Sequence, residues 1–268
     1  MSQQAAPPWV ARIRPWLATA GIVLIVAGLA AEGAARRYVV AESVQFVVFA
    51  MAAPALIVLG APWRLLRLSN AAGPEPGPLG TAPLDRLAAA RRQRTSFLRA
   101  AGFLVVFIAA GVAWRLPPVV DALARHPALV AVELVTLLAA GIGLWLELVS
   151  SPPLAPRLPN PHRAAIAALA MWSTWIVAYA LGFAGHAVFH GYDGPGSPLS
   201  AVADQQITVA LVWAVSACCF VPVVFVTMLR WLSPGDNPDE ELQRLARDDR
   251  QLPVVRGWGR PARGRPHP

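Results

Sequence analysis

Two histidines, His186 and His190, have the residue type and spacing in this chain that best suit metal chemistry. Because they are four residues apart, they would lie on one side of a helix, where two imidazoles can reach one ion. Imidazole suits copper and zinc, but two ligands do not complete a site. The other interpretation is that both histidines lie in the membrane interface or bond to a neighbour.

Several carboxyl and amide side chains could join these histidines. Elsewhere the apolar runs are almost free of ionisable groups, and each charge inserted at the middle of a membrane helix costs about 2.5–3.5 kcal/mol on insertion scales. Such groups therefore mark candidate functional positions. The candidates form a predicted outer polar cluster: Glu42, Gln45, Glu133, Asp204 and Gln205. Asp204 could instead cap the last span. Glu133, which lies deeper, is expected to be protonated or paired with a histidine or arginine of another span.

Composition indicates a membrane protein. Of the 268 residues 56% are hydrophobic and 14% charged, with a net charge of +8, whereas a soluble domain carries about 25% charged residues. Every basic residue is arginine, and the arginines lie between apolar runs or in the tail. That pattern favours a topology signal over nucleic-acid binding. The basic stretch 84–94 could form a surface helix on a membrane-lipid partner, or it could be an ordinary solvated loop. Cys218 and Cys219 are adjacent within an apolar run, which predicts packing rather than a disulfide.

The apolar runs predict an all-α, polytopic transmembrane helix bundle of about six spans. It occupies residues 15–232, between a cytoplasmic N-terminus (1–14) and a tail (233–268) with a short helix and then disorder. A flexible, basic cytoplasmic loop is predicted at 64–95. The predicted spans are 15–31, 39–59, 97–114, 128–149, 163–189 and 201–231. The first run could be a signal peptide, but its length favours a retained helix.

The arginines also predict the orientation of the bundle. Most fall on the segments that would be cytoplasmic if the N-terminus is cytoplasmic, so both termini are predicted to lie inside. The starts of spans two, four and six and the end of span five then share the outer side. This brings the outer polar cluster and the two histidines to one leaflet. Glu147 is predicted on the inner side, where it could pair with Arg163.

Three passages, in order, resemble the CtaG-like cytochrome c oxidase assembly factors. The first is residues 52–62 (AAPALIVLGAP), which is similar to that family's AAPLLxLGAP passage. The second is Glu133 followed by residues 141–145 (GIGLW) and a proline-rich loop. The third is residues 204–206 (DQQ) leading to Trp213. The resemblance covers about residues 38–232.

The resemblance implies a multi-pass protein of the bacterial cytoplasmic (inner) membrane that helps a haem–copper oxidase to assemble. Oxidase subunits would be its partners, and copper on the outer face its cargo. This sequence departs from the family pattern, in which the second span begins with two histidines four apart. Those positions here fall on Ala41 and Gln45, and Leu134 replaces the histidine after the acid of the fourth span. The resemblance therefore implies oxidase assembly more strongly than metal transfer.

Two other functions stay open at this point. One is a small-molecule or metal-ion transporter with the polar cluster on its pathway, and the other is a structural partner of the oxidase without a metal. An enzyme is not expected, because the sequence shows no nucleophile–base–acid set, phosphate-binding loop or CxxCH haem motif.

Overall fold

The protein is described by a computed structural model that covers residues 8–64, 96–152, 154, 156, 158–192 and 200–233. Within these residues it confirms an all-α fold. The first helices are α1 (Pro8–Ala30), the short α2 (Glu32–Ala35) and α3 (Val39–Val47), which continues through a π-helical turn (Val48–Ala52) into α4 (Ala53–Gly60). They are followed by α5 (Ser96–Ala113), α6 (Pro117–Arg125), α7 (Pro127–Leu148), α8 (Asn160–Gly182) and α9 (Ala201–Leu232).

Five of the described helices are long and apolar enough to cross a membrane. They are Arg12–Ala30, Val39–Gly60, Pro127–Leu148, Asn160–Gly182 and Ala201–Leu232. A sixth span results if Phe97–Ala113 and Pro117–Arg125, which are bent by 68°, are counted as one broken span. The structure thus gives five to six spans, close to the predicted number. The cytoplasmic location of the termini stays a prediction.

The predicted end of the fifth span is wrong. The span was predicted to reach residue 189, but α8 ends at Gly182. Gly185 follows with φ +66°, in the left-handed region that glycine adopts readily and that ends helices. The chain is then irregular as far as His190.

The chain divides into two units, Met1–Met228 and Leu229–Pro268. Of the second unit the structure describes only 229–233, which include the last turn of α9. The predicted short helix of the tail lies outside the described residues. So does the predicted loop at 64–95, except for Arg64.

Helix direction decides which residues can meet in the first unit. Ala50 lies against Gly141, and further along the chain Val58 in α4 accepts a hydrogen bond from Ser151, just after the end of α7, so α3–α4 and α7 run parallel. In contrast, α9 runs antiparallel to α8, because Gly182 at the end of α8 faces Val209 near the start of α9. The starts of α3, α7 and α9 therefore share one end of the bundle. This is called the Glu42 end, and the opposite one the Glu147 end.

Two of the passages that carry the family resemblance pack directly against each other. Pro54 has no N–H to donate to the Ala50 carbonyl, and the helix changes to a π-helical turn just before it. On α7, Gly141 approaches this point so closely that a Cβ atom there would lie 2.4 Å from the Ala50 oxygen and 2.6 Å from Pro54 Cγ. Glycine is therefore required sterically where α7 crosses the second span.

Candidate functional site

A buried ion pair between Glu42 and Arg115 lies at the centre of the Glu42 end. Arg115 Nη1 donates to Glu42 Oε2 at 2.8 Å, and Nη2 donates to Oε1 at 3.2 Å. Nη1 also donates to Ser43 Oγ at 3.0 Å, and the guanidinium lies 3.9 Å from the ring centroid of Phe46. Both charged side chains are about 95% buried. This two-point geometry is the strongest form of an arginine–carboxylate contact.

The local sequence explains how these side chains meet. Glu42 is in the first turn of α3, where the positive end of the helix dipole favours an acid. Arg115 follows α5, at the bend that leads to α6. The side chain can therefore reach across the bundle to the start of the neighbouring helix.

Glu133 brings a second carboxyl group to the same place. It lies in α7, is 2% exposed, and its Oε1 has no hydrogen-bond partner among the described residues. A small pocket with about 220 Å³ of empty volume is shared by Glu42, Gln45, Glu133 and Tyr192. Tyr192 lies outside the spans, and its burial, reinforced by the Glu42 charge, raises the pKa of the phenol above its usual range. The phenol therefore stays neutral beside the carboxylates.

Asp204 and Gln205 lie at the same end of the bundle, but they form hydrogen bonds to backbone groups and do not line the pocket around Glu42. Asp204 accepts hydrogen bonds from the backbone N–H groups of Val39 at 2.9 Å and Val40 at 3.1 Å. It thus caps α3 rather than α9, the helix that the sequence offered as one of two alternatives. Ser200, just before α9, caps that helix instead, since its Oγ accepts from the N–H of Ala203. This cross-helix cap fixes the start of α9 beside the start of α3.

The two amides tie other segments to this end of the bundle. Gln45 Nε2 donates to the Gly28 carbonyl at 2.6 Å, which attaches α1. Gln205 donates to the Leu181 carbonyl at 2.8 Å and accepts from the Val188 N–H at 2.8 Å. Gln205 therefore shapes the irregular segment that follows α8.

His186 and His190 were predicted to lie on one side of a helix, where both could bind one metal ion. That prediction is wrong for the helix, because both residues lie beyond the end of α8. Each side chain is exposed. His190 Nδ1 lies 3.9 Å from Asp121 Oδ2, and Asp121 also accepts from the Gly191 N–H at 2.8 Å. Within the described residues, no group of three or more His, Cys, Asp or Glu side chains could hold a metal ion. Metal binding by His186 and His190 stays a prediction.

The Glu147 end contains a second ion pair. Glu147 accepts from Arg99 Nε at 2.8 Å and Nη2 at 3.0 Å, and its side chain is fully buried. Arg163, the partner expected from the sequence, donates to the Leu148 carbonyl. The two ion pairs therefore lie at opposite ends of the bundle.

The comparison with protein families decides the identity. The chain matches the family described as cytochrome c oxidase caa3 assembly factor (Caa3_CtaG) over residues 1–233. The chain belongs to this family. Searches of curated proteins and of solved structures each gave no match.

The most important residue that the sequence reasoning missed in this assembly-factor chain is Arg115. It was treated as one of the loop arginines, although it directly follows Trp114 at the end of a predicted span. A signal was available: the predicted orientation places the end of span three on the outer side, the same side as the start of span two with Glu42, but the two residues were not compared. Once α5 and α6 are described as a bent pair, the arginine meets the acid of α3.

Proposed function

We propose that this chain assists the assembly of a caa3-type cytochrome c oxidase in the bacterial cytoplasmic membrane, without catalysing a reaction itself. The family match over residues 1–233 carries the proposal. The membrane spans and the buried ion pairs support the proposal, because these charged side chains pair with one another inside a helix bundle, as expected of a membrane scaffold. Oxidase subunits in the same bilayer are the partners.

The finer proposal is that the chain handles copper, as cargo, on the outer face. His186 and His190 are its candidate ligands, since both imidazoles are exposed. Asp121 beside His190 supports this role, because a carboxylate near an imidazole commonly orients it toward a metal. Glu42 and Glu133 are poor candidates, since carboxylates suit magnesium, calcium or manganese better than copper and Arg115 already neutralises one charge.

The test is deletion of the gene followed by measurement of oxidase activity and of copper in the purified oxidase. Loss of both in copper-poor medium, restored by the wild-type gene, is expected. Normal oxidase activity in the deletion strain under copper limitation would contradict the assembly role.

Complementation with His186→Ala/His190→Ala separates copper handling from assembly alone. His126→Ala is the matched control, because His126 is an exposed histidine in the short connection between α6 and α7. If the double variant restores a copper-loaded oxidase as well as the control does, the chain is a structural partner of the oxidase that does not use these histidines.

A second candidate function is that of a transporter, which a cavity between α3, α5, α7, α8 and α9 favours. Copper uptake into proteoliposomes that contain the purified chain tests it. Uptake that exceeds the rate in empty vesicles would support transport.

A further inference from the structure

A cavity lies between the helices of the bundle and is separate from the small pocket around Glu42. Its empty volume is about 570 Å³, including the space open at its mouth. Most of its lining is apolar, with Phe46, Met51 and Phe107 among the walls, and Arg115 and Thr208 among the few polar groups. Apolar walls with a few polar groups are typical of small-molecule sites.

Two residues that line this cavity each have a buried polar atom with no hydrogen-bond partner among the described residues. The atoms are Arg115 Nε and Thr208 Oγ1, and the two residues are 4% and 2% exposed. Buried donors are almost always satisfied in native proteins, since leaving one unpaired costs about 1–3 kcal/mol. Two such donors on one cavity therefore point to an acceptor that binds there.

The charge balance decides the chemistry of that acceptor. The Arg115 guanidinium is already paired with Glu42, so the cavity does not present an uncompensated positive charge. A neutral acceptor therefore fits better than a phosphate or a carboxylate. The remaining walls are apolar, which suits a ring or chain that is soluble in the bilayer.

The lining residues show where the cavity lies along the bundle. Thr208 is the eighth residue of α9, so it lies about 10 Å along the axis from the helix start. Met51, which lines the cavity as well, lies beyond Phe46 toward the Glu147 end. Val112, another lining residue, is 39% exposed, so the cavity communicates with the outside of the bundle there.

We propose that this cavity binds a neutral, membrane-soluble carbonyl compound, with its carbonyl oxygen accepting from Thr208 and Arg115 and its apolar part between the helices. A lipid quinone and the ester carbonyl of a neutral glycerolipid share this chemistry. This ligand is distinct from copper, and the proposed binding does not depend on the proposed copper handling.

The test compares the binding of three probes to purified chain in detergent. The probes are a decyl-substituted benzoquinone, dioleoylglycerol, and decylbenzene, which has a ring and a tail but no carbonyl group. Binding is measured as the shift of the thermal unfolding midpoint with probe concentration, and the organic extract of the purified protein is analysed by mass spectrometry. At least one carbonyl probe is expected to bind more tightly than decylbenzene.

Three variants make the test specific. Thr208→Val removes the unpaired hydroxyl. We expect it to weaken the binding of the carbonyl probe by about tenfold, because one hydrogen bond is lost. Gly111→Leu fills the space, since a Cβ atom there meets only Phe46 at 4.0 Å, and should abolish binding. Thr174→Val is the control: Thr174 also lines the cavity, but its hydroxyl already donates to the Ala170 carbonyl at 3.0 Å, so binding should not change.

The outcomes are separable. Tighter binding of the quinone or of the glycerolipid than of decylbenzene supports the site and identifies the source of the carbonyl. This preference should be lost in Thr208→Val and retained in Thr174→Val. Equal binding of decylbenzene, equal binding to Thr208→Val, or no binding of any probe to the wild-type chain would overturn it.

Discussion

Replacing Arg115 by methionine tests the buried ion pair at the Glu42 end. Methionine keeps much of the side-chain length and its apolar contact with Phe46, but it removes the guanidinium. Three hydrogen bonds are lost, two to Glu42 and one to Ser43. Glu42 is then left buried beside the second carboxyl group, that of Glu133.

The magnitude follows from this burial. Removing one partner of a buried pair leaves an uncompensated charge and costs about 3–5 kcal/mol. Removing both charges together is often neutral or stabilising. We therefore expect Arg115→Met to lower the free energy of unfolding by about 3–5 kcal/mol, and Glu42→Gln/Arg115→Met to regain most of that loss.

The assay is unfolding of the purified chain in mixed micelles with increasing sodium dodecyl sulfate, followed by tryptophan fluorescence. Arg36→Ala is the matched control, because Arg36 forms an ion pair with Glu32 in which the side chains are 40% and 41% exposed. Exposed pairs contribute about 0–1 kcal/mol. If Arg115→Met and Arg36→Ala destabilise the chain equally, or if the double variant is as unstable as Arg115→Met, the reasoning is refuted.

Three further predictions concern the cap of α3, the close approach at Gly141 and the ion pair of Glu147, and each is tested by the same unfolding assay. Asp204→Ala removes the acceptor of two backbone N–H groups at the start of α3 and should cost about 1–2 kcal/mol; an unchanged stability would contradict the cross-helix cap. Gly141→Ala places a Cβ atom 2.4 Å from a backbone oxygen and should cost about 1–3 kcal/mol, whereas Gly102→Ala, with nothing within 4 Å, should be neutral or stabilising; equal effects would refute the close approach. Glu147→Gln weakens the pair with Arg99 at the opposite end, and its cost should add to that of Arg115→Met because the sites are distant; strong non-additivity would show that the two ends are coupled.

The bounds of the spans could be predicted from the sequence because they depend on local apolar composition. The predicted second span, 39–59, matches the helical stretch Val39–Gly60. The π-helical turn just before Pro54 also has a local cause, since proline removes a backbone donor. The end of α8 was not, because the residues after Gly182 are still mostly apolar and only the left-handed Gly185 shows that the helix has stopped.

The candidate site was predictable only in part. The parallel course of α3 and α7 brings Glu42, Gln45 and Glu133 to one pocket, as the alternation of spans predicts. Asp204 was predicted either in the outer polar cluster or as a cap of its own helix, and neither alternative identified its partners in α3, which are 164 and 165 residues away. The predicted topology places Arg115 at the same end of the bundle as Glu42, but the sequence does not show which side chains pair there, and these two are 73 residues apart.

The most direct test of the central claim is the amount of assembled, copper-loaded caa3-type oxidase in membranes of a strain that lacks this chain. We expect that amount to fall strongly in copper-poor medium and to recover when the wild-type gene is supplied. A deletion strain with a normal amount of fully loaded oxidase would contradict the account.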